Sequence, residues 1–216
     1  MEEAVAYRID GTLAAIERGD PCVVAYDALS EHDVGRLALA LKGTTTLKEL
    51  NLGGNQITDV GAKALALALE KSASLKALDL GLNQITDVGA KALASALEKS
   101  TSLKELYLGG NKITDVGVAE FAGAVAKSTS LMWLSLAHNQ ITDAGAVVLA
   151  AAVETSMSLE ALWFRGNSLT DVGERAIRCA FRVAHARRAL LGVVELLRAD
   201  GDHALAWRVA RFLVYQ

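Results

Sequence analysis

The segment Leu47-Lys48-Glu49-Leu50-Asn51-Leu52-Gly53-Gly54-Asn55-Gln56-Ile57-Thr58-Asp59-Val60-Gly61 recurs every 28 residues, and that period constrains the fold more than any other feature. Its leading leucine returns as Leu75, Leu103, Leu131 and Leu159. The asparagine returns as Asn83, Asn111, Asn139 and Asn167, and the Thr-Asp pair as Thr86-Asp87, Thr114-Asp115, Thr142-Asp143 and Thr170-Asp171. Copies that follow one another without insertion describe a stack of like units, each contacting only its neighbours.

Every copy changes period midway. Leu50 and Leu52 alternate with Glu49, Asn51 and Gly53, which predicts a short strand buried on one side. After Thr58 the apolar residues Val60, Ala64, Leu65, Ala68 and Leu69 read as one face of a helix. Thr58 suits the N-cap, and Asp59 places negative charge at the positive end of the helix dipole. Parallel strands pair about 4.7–4.9 Å apart while packed helices need about 8–10 Å. A stack with strands on one side and helices on the other must therefore bend, strands inward.

The pattern LxxLxLxxN-x-I/L followed by a helical half resembles the long leucine-rich repeats of ribonuclease inhibitor and of the sensing region of NOD-like receptors, strongly over residues 47–186 and weakly at the flanks. The resemblance implies an α/β, right-handed solenoid in the form of a partial horseshoe. Its parallel strands would line the concave side and its helices the convex side. As a guide to function it is weaker, because one scaffold serves many partners.

Five of the six asparagines stand in the repeated position. There an amide can satisfy backbone groups in the turn that leaves the strand, so the column is read as structural. Gly61, Gly89, Gly117, Gly145 and Gly173 are expected to permit close approach of neighbouring backbones. No stretch has the spacing of a phosphate-binding loop.

The ends are read as caps on a single domain covering 1–216. Residues 1–18, with Val5, Ile9, Leu13 and Ile16 at helical spacing, form an N-terminal capping helix, and Pro21 marks its break. Residues 19–46 form a degenerate repeat in which Cys22, Val24, Asp27 and Leu29 precede Leu50, Leu52, Asn55 and Ile57 by 28 residues. Asp33-Val34-Gly35 precedes Asp59-Val60-Gly61 by 26, which predicts two extra residues in the turn. Residues 47–186 hold the five regular repeats. Residues 187–216 form a helical hairpin cap, with a turn at 199–202 and a second helix over 203–215 carrying Leu205, Trp207, Val209, Phe212 and Leu213. The alternative is that Trp207 and Phe212 face a partner or a second subunit.

Composition excludes several classes. A formal net charge of -3 lacks the basic footprint of a nucleic-acid binder. Cys22 and Cys179 match no metal-ligand spacing and favour a reduced, cytoplasmic setting. The first twenty residues lack the charge and apolar pattern of a secretory signal, and no apolar run approaches the roughly 18 residues of a membrane span. No cofactor, metal, nucleic acid or membrane is expected, and a monomer is favoured over an oligomer.

The strand positions between the leucines form three columns on the concave wall. They read Glu49, Ala77, Glu105, Trp133, Ala161, then Asn51, Asp79, Tyr107, Ser135, Trp163, then Gly53, Gly81, Gly109, Ala137, Arg165. Trp, Tyr and Arg are the residue types enriched in binding hot spots. The candidate partner-binding patch is therefore Tyr107, Trp133, Ser135, His138, Trp163 and Arg165, with Asp79 and Glu105 as an acidic flank. The alternative is that broad side chains merely cover each other on an exposed sheet.

Residues 160–216 carry nine arginines, no lysine and six acids, against 13 basic and 19 acidic residues before them. Arg175, Arg178 and Arg182 at helical spacing are read as a solvated face rather than a contact for an acidic partner. Val118 and Val147 are placed at outward helix positions.

Catalysis finds little footing. Ser135, His138 and Asp79 suggest a triad, but Asp79 and Ser135 would lie two strands apart, roughly 9–10 Å. The chain is expected to be no enzyme but a module that binds a protein partner on its concave face, and the resemblance to NOD-like receptors implies sensing or regulation. It lacks their nucleotide-binding module, and its two cysteines set it apart from cysteine-rich ribonuclease inhibitors. Two alternatives stay open: regulation of a GTPase, since the Ran GTPase-activating protein is similar in repeat type, and a scaffold that self-associates.

Overall fold

A computed structural model describes residues 2–25 and 29–199. Helix α1 (Glu2–Arg18) leads into six strand–helix units: β1 (Cys22–Val24) and α2 (Glu31–Leu41), β2 (Glu49–Asn51) and α3 (Asp59–Leu69), β3 (Ala77–Asp79) and α4 (Asp87–Lys99), β4 (Glu105–Tyr107) and α5 (Asp115–Lys127), β5 (Trp133–Ser135) and α6 (Asp143–Thr155), β6 (Ala161–Trp163) and α7 (Asp171–Ala199). The strands form one parallel sheet in chain order β1 to β6. Leu50, Leu78, Leu106, Leu134 and Leu162 lie in register and point into the core, so the alternate residues face the concave side.

Two side-chain ladders join the units. Asn111 Nδ2 donates to the Leu80 carbonyl of the preceding unit at 2.9 Å and to Leu108 at 3.0 Å. Its Oδ1 accepts from the Ile85 N–H at 2.9 Å. Asn55, Asn83, Asn139 and Asn167 bond likewise, which confirms the structural reading of the column. The aspartate after each N-cap threonine does more than face its own helix dipole. Asp87 Oδ1 accepts from the N–H groups of Thr114 and Gly117 at 2.8 and 3.0 Å, and Oδ2 accepts from the Thr114 hydroxyl at 2.7 Å. Asp59, Asp115 and Asp143 bond to the next threonine likewise, so each of these four carboxylates caps the next helix along. A Cβ on Gly117 would sit 2.6 Å from the same Asp87 Oδ1, so glycine is required there.

Three details differ from the sequence expectation. The N-terminal unit has a shifted register: Val23 pairs with Leu50 and Cys22 with Glu49, an offset of 27. Val23 and Ala25 are therefore buried while Cys22 and Val24 are exposed. The helical half returns to an offset of 28, because Ser30 caps α2 as Thr58 caps α3 and Thr58 bonds to Glu31. The turn is thus one residue shorter, not two longer. Asp27 of the expected alignment lies outside the described residues.

Val60 does not join the helix's inner face but is 58% exposed, and Val88, Val116 and Val172 repeat this. At about 100° per residue Val60 stands about 140° from Leu65, whereas Ala62, Ala68 and Leu69 lie within about 60° of it. The same geometry corrects Val118, which takes the place of Ala62 and is fully buried, while Val147 does face outward.

At the N-terminal end α1 covers the first unit with Ile9 and Ile16, and its Asp10 pairs with Arg36 at 2.6 Å. At the other end Glu174 and Arg178 are exposed where the interior units bury Ala62 and Ala66, Ala90 and Ala94, or Ala146 and Ala150. That face carries charge where stacking needs alanine. α7 runs unbroken through residue 187 to Ala199, about 44 Å against about 20 Å for α6. Arg188 on it donates to the Leu159 carbonyl at 3.0 Å, tying the distal half to the loop before β6. The turn expected around 200–202 and the helix expected over 203–215, with Trp207 and Phe212, lie outside the described residues.

Candidate partner-binding surface

The strand register assembles the predicted patch on one face. Glu49, Ala77, Glu105, Trp133 and Ala161 run as one row across the sheet, and Asn51, Asp79, Tyr107, Ser135 and Trp163 as the next. Trp133 and Trp163 both lie opposite the buried leucines, so they share the concave side. Trp163 is 44% exposed, and Trp133, Tyr107, Ser135, Asp79 and Glu105 are half-buried. His138 and Arg165 are exposed just past the strands, where the His138 N–H donates to the Arg165 carbonyl at 2.7 Å.

Tyr107 and Trp163 stand two strands apart with Ser135 between them, yet their rings stack with centroids 6.3 Å apart and planes inclined by 29°. The gap between their strands is about 9–10 Å. The rings therefore lean together over the serine, whose small side chain leaves the room. The Tyr107 hydroxyl donates to Glu105 Oε2 at 2.7 Å. Its ionisation is pushed up to about 12 by burial first, then by that hydrogen bond, then by the charges of Glu105, Asp79 and Glu49. It stays a neutral donor on an acidic stretch of wall. Asp79 Oδ1 accepts from the Gly81 N–H at 2.8 Å, which holds the carboxylate at the strand end.

Sequence reasoning missed the rim beside this patch. The residue before each ladder asparagine is left-handed in all five regular units: Gly54, Leu82, Gly110, His138 and Gly166 have φ of 71°, 55°, 72°, 52° and 76°. Glycine takes that conformation freely, whereas a side-chain-bearing residue loses about 1–2 kcal/mol. Leu82 is 71% exposed, and its Cδ2 lies 2.6 Å from where a Cβ on Gly110 would be. The His138 ring covers Gly166 in the same way. The signal was present as a column that alternates glycine with a large residue.

The triad geometry fails on register, since Asp79 and Ser135 are separated by Tyr107 of β4. Among the described residues no three His, Cys, Asp or Glu side chains gather to hold a metal ion, and no helix is long and apolar enough to cross a membrane. Cys22 and Cys179 are free and exposed, and Arg175, Arg178 and Arg182 are exposed on α7.

The Leucine Rich repeat family model matches residues 44–66, 71–94, 99–122 and 127–150. No curated protein matches the chain. Among solved structures the chain is similar to actin-binding site 2 (ABS2) of leiomodin-1, at 19% identity and a TM-score of 0.56, covering 88% of this chain and 97% of that one. It is also similar to the C-terminal domain of Caenorhabditis elegans tropomodulin, at 15% identity and a TM-score of 0.53, covering 86% and 98%. At such identities the likeness is one of fold. An α/β leucine-rich-repeat solenoid is the architecture of this chain.

Proposed function

We propose that this leucine-rich-repeat solenoid is a non-enzymatic protein-binding module that takes its partner on the concave strand wall, with monomeric actin the first partner to test. The observation that carries the reading is the half-exposed Tyr107–Trp163 stack, flanked by Trp133, Glu105 and Asp79 on one side of a rigid sheet. Aromatic side chains held by their neighbours lose little rotamer freedom on binding and present a large amphipathic area. Ser135, His138 and Arg165 complete the surface at its C-terminal end.

Actin is chosen because the leiomodin-1 site that shares this solenoid is named for binding it. The likeness to the repeats of ribonuclease inhibitor and NOD-like receptors supports partner capture in general. The free cysteines suit a reduced, cytoplasmic setting, and the charged end face formed by Glu174 and Arg178 suits a monomer. The test is calorimetric titration of the full chain with monomeric actin. Saturable binding, weakened about tenfold or more by Trp163→Ala with unchanged circular dichroism, is the expected result. No heat and no complex on gel filtration would contradict actin as the partner.

A further inference from the structure

Among the described residues Leu82 is the apolar rim residue whose conformation and exposure both run against stability. It holds a left-handed backbone at φ 55° where the neighbouring units use Gly54 and Gly110, and it presents its side chain to solvent at 71% exposure. An ordinary surface position would relax to glycine or asparagine, which take that conformation more readily. Strain of this kind persists where the side chain has a use. Two units along, His138 has the same left-handed backbone at φ 52° and the same exposure class, and it already borders the aromatic patch.

Charge gives the surface a direction. At the Leu82 end the wall carries the carboxylates of Asp79 and Glu105, and the Tyr107 hydroxyl bonds to Glu105 on its own strand. At the far end it carries Arg165, whose hollow Glu174 of α7 also lines. Lys48, Lys76 and Lys104 precede the strands, so they stand on the opposite rim from Leu82, which follows them.

We propose that Leu82 is a second anchor of the partner surface, and that the partner lays a segment across the strands from Leu82 to Arg165. That segment sets a basic group against Asp79 and Glu105, an aliphatic side chain on Leu82, an apolar or aromatic side chain on the Tyr107–Trp163 stack, and an acidic group against Arg165. The inference rests on the concave-wall reading above, and it adds both a residue and the order of chemistry in the partner.

The test uses the full chain and monomeric actin as probe, with Leu82→Asn, Leu82→Met, Asp79→Lys, Arg165→Glu and Trp163→Ala measured by calorimetry and by thermal unfolding. Asparagine tolerates the left-handed backbone, so Leu82→Asn should unfold at the same temperature as the parent or a few degrees higher, while binding falls about tenfold or more. Leu82→Met, which keeps an apolar side chain, should retain binding, and both charge reversals should weaken it. If Trp163→Ala loses binding while Leu82→Asn binds like the parent, the inference fails and the concave-wall reading stands. If Leu82→Asn unfolds earlier and binds normally, Leu82 is only packing on Gly110, and the inference fails again. No binding by the parent chain overturns both.

Discussion

Tyr107 and Trp163 stack across an intervening strand, at 6.3 Å between ring centroids, because Ser135 puts almost nothing between them. Widening that side chain should part the rings. Ser135→Leu is expected to weaken partner binding about tenfold while leaving far-UV circular dichroism and the urea midpoint close to those of the parent, since position 135 faces the concave side and not the core. A Ser135→Leu chain that binds unchanged would mean the stack has no part in recognition.

The phenol of Tyr107 should titrate late. Burial, the bond to Glu105 and the surrounding carboxylates all oppose a phenolate, which places its pKa at about 12 against the ordinary 10.0. In an alkaline absorbance titration, with Tyr107→Phe subtracted to isolate it from the other three tyrosines, Glu105→Gln should move the midpoint down while burial keeps it above 10. An unchanged midpoint in Glu105→Gln would show that the hydrogen bond is not made in solution.

The asparagine ladder should be steepest in the middle. Asn111→Ala strands the Ile85 N–H inside the stack, at about 1–3 kcal/mol for a group left unpaired, and leaves the Leu80 and Leu108 carbonyls with only the amides of Asn83 and Asn139. Asn167→Ala at the end of the sheet leaves groups that water can reach and should cost less. Urea unfolding followed by circular dichroism measures both, and equal losses would contradict the ladder.

The aspartate ladder gives a pH signature. Hydrogen bonds from the Thr170 hydroxyl and N–H, helped by the Gly173 N–H, hold the Asp143 pKa below the ordinary aspartate value against a smaller opposing effect of burial. A depressed folded-state pKa means stability that is present above the unfolded-state value and lost as pH falls through the folded-state one. Asp143→Asn should therefore be less stable than the parent at neutral pH, with the gap closing as acid protonates the parent's carboxylate. A gap that persists unchanged at pH 2 would assign the loss to packing instead.

Two valines separate the helix faces. Val60→Lys should change stability by no more than about 0.5 kcal/mol, because its side chain is already in water. Val118→Lys buries a charge between α5 and α6, since its counterparts Ala62, Ala90 and Ala146 each pack on the next helix, and should cost about 3 kcal/mol or more. Comparable losses from both would contradict the burial pattern.

These valines also mark where the chain was and was not readable. The strands and the asparagine column were legible because a two-residue alternation and a fixed 28-residue spacing admit one placement. Helix phase was not, since α3 to α6 are so rich in alanine, valine and leucine that several faces look apolar, and only packing against the neighbouring unit selects one. The register of β1 was lost because Cys22-Val23-Val24 has no alternation, and Val23 became recognisable only through its pairing with Leu50. The columns put Asp79, Glu105, Tyr107, Trp133, Ser135 and Trp163 on one wall, as the strand register has them. The leaning of Tyr107 over Ser135 and the left-handed backbone of Leu82 depend on inter-strand distance and turn geometry, which no spacing in the sequence encodes.

The most direct test of the concave wall as the recognition surface is radical footprinting of the chain alone and bound to monomeric actin. Strong protection of Tyr107, Trp133 and Trp163 is expected on binding, with Val60, Val88 and Val116 on the helical side labelled as before. Protection confined to those valines, with the three aromatic residues as reactive as in the free chain, would contradict it.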